Sequence, residues 1–146
     1  MDSFWEQVTT INLAQGDFLQ NCSVPVVRAD FDQAAKTPQI PASILVDEFD
    51  LIIMTQSCDL ENSKAPLVAC CPINTLDEFE QVNPRFKGRG EWERVRQGRI
   101  EGLHLLSSPT APNNNRAALV VDFRQFTVYP WNTWRPTPAR SDPDGD

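Results

Sequence analysis

The 146 residues carry 13 Lys and Arg against 20 Asp and Glu, a net charge of −7, with 40% hydrophobic and 23% charged residues. That length buries a core without disulfide or metal staples and predicts one domain. The acidic balance excludes a protein whose whole surface coats nucleic acid or anionic lipid. No apolar run approaches the roughly 20 residues of a membrane-spanning helix. The opening Met1–Glu6 has neither a basic n-region nor an apolar h-region, which predicts no secretory signal. Cys22, Cys58, Cys70 and Cys71 then read as free thiols in a reducing compartment, and the expected address is the cytoplasm of a bacterial-type cell.

In chain order, Asp2 to Thr9 reads as a short opening helix, with Asp2 or Ser3 as N-cap and Phe4, Trp5 and Val8 on one side. Gly16-Asp17 marks a turn. Phe18 to Gln20 and Ser23 to Val27 read as strand, and Pro25 assigns that run to a sheet edge or a bulge. Arg28 to Glu48 has no clear period and holds Asp30, Asp32, Asp47, Glu48, Pro38 and Pro41, so a long acidic loop with a turn of helix at Phe31 to Lys36 is expected.

Leu51-Ile-Ile-Met54 has no polar residue between its apolar ones and predicts a central strand covered on both faces. Thr55-Gln-Ser-Cys-Asp59 then continues the extended pattern, placing two hydroxyls, an amide, a thiol and a carboxylate at the strand's mouth. Pro66 to Cys71 is the next strand, and the short polar link before it predicts an antiparallel pair. Thr75-Leu-Asp-Glu78 is a capping box for a helix to about Val82, stopped by Pro84, with Leu76, Phe79 and Val82 inward.

Arg85 to Arg99 holds six cations (Arg85, Lys87, Arg89, Arg94, Arg96, Arg99) against Glu91 and Glu93, a net of +4 in an otherwise acidic chain. Glu91 to Gln97 reads as a second short helix with Gly98 at C′. Ile100 to Leu106 resumes a strand, with Ile100, Gly102, His104 and Leu106 on one face and Leu103 and Leu105 on the other. Pro109 to Asn115 is a polar loop, and strands Ala118 to Phe123 and Phe126 to Tyr129 flank a turn at Arg124-Gln125. The domain thus spans 1–130, mainly β with short helices: an antiparallel, strongly curved sheet of five to seven strands. Residues 131–146, with Trp131, Trp134 and several prolines, read as a Pro-rich acidic tail.

The order of these elements resembles the PemK/MazF-type toxin and growth-inhibitor family. The likeness rests on Gly16-Asp17 before the first strand, the long first loop, Leu51 to Ser57 ending in small polar residues, a turn at Cys71-Pro72-Ile73-Asn74, and the late strand reading Val-Val-Asp-Phe-Arg. It covers Leu13 to Tyr129. The resemblance implies a small SH3-like antiparallel β-barrel and a toxin-antitoxin setting. In RNA-cutting members a basic residue of the first loop works with a Ser or Thr at the end of the central strand, roles that would fall to Arg28 and to Thr55 or Ser57. The first loop here is acidic, which opposes an RNA backbone in that groove. Gln56 to Asp59 and Arg96 to Leu106 look more like a group of small bacterial proteins with no assigned activity.

Three chemical readings follow. Cys58, Asp59 and His104 (the only histidine) are the catalytic candidates, as thiol nucleophile, orienting carboxylate and base. Gln56, Ser57, Arg94, Arg96 and Arg99 are the binding candidates, for a protein partner or, through the basic stretch 85–99, for RNA. A zinc site would need Cys58, His104, Cys22 and one of Cys70 or Cys71, but no chelating pair is spaced for it, so no metal and no cofactor are expected. The acidity and the departures at the site favour a non-catalytic interaction or accessory subunit. The alternatives are a PemK/MazF-type RNA-binding protein or endoribonuclease, and a Cys–His hydrolase-like site.

Overall fold

A computed structural model describes residues 13–130 except 28, 38–44, 63, 65 and 89. The predicted opening helix and the tail after Pro130 lie outside the described residues. The described chain forms β1 (Phe18–Val26), α1 (Phe31–Lys36), β2 (Leu45–Ile53), α2 (Ser57–Glu61), β3 (Leu67–Thr75), α3 (Leu76–Val82), α4 (Glu91–Arg96), β4 (Leu103–Leu106), β5 (Leu119–Asp122) and β6 (Thr127–Pro130). The strands make one antiparallel sheet in the order β1-β2-β3-β5-β4, with β6 also pairing with β3. Among the described residues the sheet is open, with β1 and β4 at the two ends of that order. Among the described residues no helix is long and apolar enough to cross a membrane.

Alternation along the strands sorts the core into two faces. Leu51 and Ile53 of β2 and Val68 and Cys70 of β3 pack with Leu13, Val24 and Leu60 on one face. At the other end of that face Val120 and Leu103 pack beneath Leu76, Phe79, Phe86, Trp92 and Val95 of the helical segment. The opposite face buries Cys71, Ile73 and Val121, against which Phe18 of β1, Ile52 and Met54, Leu106 of β4, Leu119 and Phe123 pack. The run Leu51 to Met54 is therefore covered on both faces but unequally, since Ile52 and Met54 stay half-buried.

Several expectations hold in detail. The Gly16-Asp17 turn forms with Gly16 at φ +90, and β1, with Pro25, is an edge strand. The capping box of α3 is complete, Thr75 Oγ1 accepting from Glu78 N–H and Glu78 accepting from Thr75 N–H. Gly98 follows α4 in the left-handed region, at φ +68.

Others are corrected. Thr55 to Asp59 does not stay extended: Gln56 is the last extended residue and Ser57 opens a helical turn. Leu45 to Glu48 belongs to β2 rather than to the acidic loop, because each residue from Leu45 has a partner on β1. Val82 faces outward and is 78% exposed. Ile100 to Gly102 is a turn, and β4 begins at Leu103.

The expected turn at Cys71-Pro72-Ile73-Asn74 is instead the middle of a nine-residue strand. The register explains how a proline is accommodated there. Met54 N–H donates to Ala69 O at 2.8 Å, so in the β2–β3 ladder Ile52–Cys71 is also a hydrogen-bonded pair and Leu51–Pro72 is not. The missing Pro72 donor thus faces the other neighbour. On that side β6 covers Leu67 to Cys70 and β5 covers Ile73 to Thr75, leaving Pro72 in the gap between them.

Candidate functional site

The mouth of β2 is built by the loop that precedes β1. Gly16 N–H donates to Ile53 O at 2.8 Å, and Ile53 N–H donates to Asp17 O at 2.9 Å. Gln15 then reaches over the strand end: its N–H donates to Ser57 Oγ at 2.9 Å and its Nε2 to Met54 O at 3.1 Å. Thr55 Oγ1 accepts from Ala69 N–H at 2.8 Å. Both hydroxyls of the cluster therefore accept backbone N–H groups and fix the strand end in place. Asn62 Nδ2 donates to Cys58 O at 2.6 Å and closes the helical turn.

Gln56 and Cys58 do meet, the thiol lying 3.7 Å from Gln56 Oε1 at the surface. Asp59 is half-buried on the same turn. His104 is elsewhere. It sits on the edge strand β4 opposite Val121, which lies opposite Ile73, which lies opposite Asp50. Three strand spacings of about 4.8 Å separate β4 from β2 along the sheet, and Cys58 lies beyond the end of β2. No hydrogen bond joins His104 to Cys58 or Asp59 among the described residues. What approaches Gly102 is the Arg124 side chain, whose Cγ lies 2.5 Å from where a Cβ would stand. Gly102 is at φ +79, so the glycine serves that turn.

The remaining thiols are inward. Burial pushes Cys22 up to about 11, with help from Asp50 and Glu48, and pushes Cys70 up to about 12. Burial and the nearby Asp122 also raise Cys71. Such thiols stay protonated and are poor nucleophiles. Among the described residues no three His, Cys, Asp or Glu side chains gather as metal ligands.

Three of the six cations in the basic stretch are engaged with its own carboxylates. Arg94 and Arg85 bind Glu91 at 3.0 and 3.1 Å, and Arg96 binds Glu93 at 3.4 Å. Arg94 first, then Arg85, holds the Glu91 carboxyl below its ordinary range. Arg99 follows the helix, its N–H donating to Arg94 O at 2.8 Å.

Sequence reasoning missed two polar clusters and one surface. Glu80 is buried beneath Arg116, which donates to it through two bonds of 2.6 and 2.8 Å and also reaches Asp77, while Trp92 Nε1 donates to Glu80 at 2.8 Å. Asp122 is buried and accepts three bonds from Arg124, from N–H, Nε and Nη2. The 36-residue gap between Glu80 and Arg116 leaves no local trace, whereas Asp122-Phe-Arg124 on a strand end could have been found.

The missed surface is the far end of the β1–β2 ribbon. Val26, Val27, Leu45 and Val46, with Phe31 on α1, are 39% to 76% exposed. The helix α1 buries no residue at all. The signal was present in Val24-Pro-Val-Val27 and Leu45-Val46, but placing Leu45 and Val46 in a loop hid it.

No family model, curated protein or solved structure matches this chain.

Proposed function

We propose that this protein is a non-catalytic interaction module, an accessory subunit that joins a bacterial assembly through the end of its β1–β2 ribbon. The observation that carries the reading is that Val26 and Leu45, paired across the ribbon, and the neighbouring Val27 and Val46 are all exposed at its one end. Large apolar side chains scattered singly over a surface need no explanation, whereas a contiguous set marks an interaction site. The mouth of β2 supports the same reading from the other side. Its hydroxyls are spent on backbone donors, and its thiol has an amide rather than an imidazole for a partner.

The fold is, in this reading, the curled, partly open sheet of the SH3-like barrel that the PemK/MazF-type resemblance implies. Its support is that Phe18 on β1 and Leu106 on β4, at opposite edges of the sheet, pack against one buried cluster. A curl that brings both edges toward a common interior does this with strand and loop residues alone among the described ones. An RNA-cutting role draws less support, because Arg85, Arg94 and Arg96 are paired with Glu91 and Glu93.

Affinity purification of full-length protein from its native host tests the reading. Wild type and the Cys58→Ala and His104→Ala variants should recover one partner in equal yield, and Val27→Asp/Val46→Asp should lose it. Cleavage of RNA by purified wild type, abolished by Ser57→Ala or Cys58→Ala, would replace this reading with the enzymatic one.

A further inference from the structure

The register of the ribbon says how its end is bound. On β2, Leu45 and Asp47 share the face that carries Leu51 and Ile53, and their partners on β1 are Val26 and Val24. Val46 and Glu48 lie on the opposite face, partnered by Pro25 and Ser23. Val24 is the last buried residue on this part of β1. Beyond it the pairs Val26–Leu45 and Pro25–Val46 are exposed on both faces of the ribbon. A ribbon that lay flat on a partner would need one apolar face only, with polar residues turned to water. Here each face carries an apolar pair, followed by one carboxylate: Asp47 on the first face and Glu48 on the second. Among the described residues no cation forms an ion pair with either carboxylate.

We propose that the ribbon end formed by Pro25 to Val27 and Leu45 to Val46, from which the connection through α1 leaves, is gripped on both faces by a cleft of a partner protein, with apolar walls and a Lys or Arg on the rim of each wall. The proposal rests on the interaction reading above and specifies its geometry and chemistry. The two apolar pairs fill the walls of the cleft. Asp47 and Glu48, each two residues behind the apolar residue of its own face, meet the rims, where complementary charge steers association and fixes orientation. The bulge on β1 between Leu19 and Cys22, with Asn21 at φ +53, and Pro25 interrupt the free edge of β1. Such features oppose strand-to-strand addition on the β1 edge, and the apolar pairs on both faces favour contact through side chains.

The test places p-benzoylphenylalanine at Leu45 or, separately, at Val46 of the full-length chain in its native host, with the linked peptides then sequenced. Both positions should link to one partner protein, and to opposite walls of one cleft. Asp47→Lys and Glu48→Lys should each lower the yield at least fivefold, in variants whose thermal midpoints match wild type. Linking from one face only, unchanged yield in both charge reversals, a product of two copies of this chain, or a link within the chain would overturn the gripped geometry while leaving the interaction reading to the purification test. No link from either position, together with no partner in that purification, would overturn both.

Discussion

Arg116 holds the buried Glu80 carboxylate with two parallel bonds, across 36 residues of sequence, and Trp92 adds a third. The clamp ties the loop before β5 to α3 and α4. It holds Glu80 down at about 2, against an ordinary 4.5, with the Arg116 bond the largest cause and the Trp92 bond next. A carboxyl lowered in the folded state stabilises the fold above its ordinary value and ceases to do so as pH falls toward 2. Wild type should therefore lose about 1–2 kcal/mol through this pair between pH 5 and 2, allowing for screening at half-exposed Arg116. Glu80→Gln should be less stable at pH 7 and flatter across that window. Urea midpoints at pH 7, 4 and 3 would measure both, and parallel pH profiles would remove Glu80 from the account.

Gly102 turns the chain into β4 at φ +79, with the Arg124 stem packed over it and Phe123 N–H donating to its carbonyl at 2.8 Å. An added methyl group meets both a disfavoured backbone region and a side chain that Asp122 holds in place. Gly102→Ala should destabilise by about 2 kcal/mol. Combined with Arg124→Ala it should recover the steric part, so the two effects should fall short of additive in thermal melts. Simple additivity would show that the stem does not press on the glycine.

Cys58 is the exposed thiol, whereas Cys70 and Cys71 are buried and Cys22 is half-buried with its proton held tightly. Iodoacetamide near neutral pH should label Cys58 first, by at least tenfold over the others. His104→Ala should leave that rate within twofold, since no bond links the two residues. A severalfold slowing in His104→Ala would restore the Cys–His reading.

Much of the fold was legible because its signals are local. Thr75 and Glu78 are three residues apart, Gly98 ends a helix one residue beyond its C-cap, and Leu51 to Met54 has no polar interruption. The errors came where a tertiary partner overrode local pattern. Pro72 reads as a turn until the handover from β6 to β5 is known. Leu45 to Glu48 reads as acidic loop until β1 lies beside it. The candidate site shares this limit. Gln56 and Cys58 are near neighbours in sequence and meet, whereas His104 lies 46 residues on, on another strand, and no local pattern says which residues it faces.

The claim that the exposed end of the β1–β2 ribbon is where this protein works is tested most directly by its native size in extract from its own host. Gel filtration with immunodetection should place wild type in a complex well above monomer mass, and Val27→Asp/Val46→Asp should return it to monomer with its thermal midpoint unchanged. Wild type eluting as a monomer, or the double variant staying in the complex, would contradict the account.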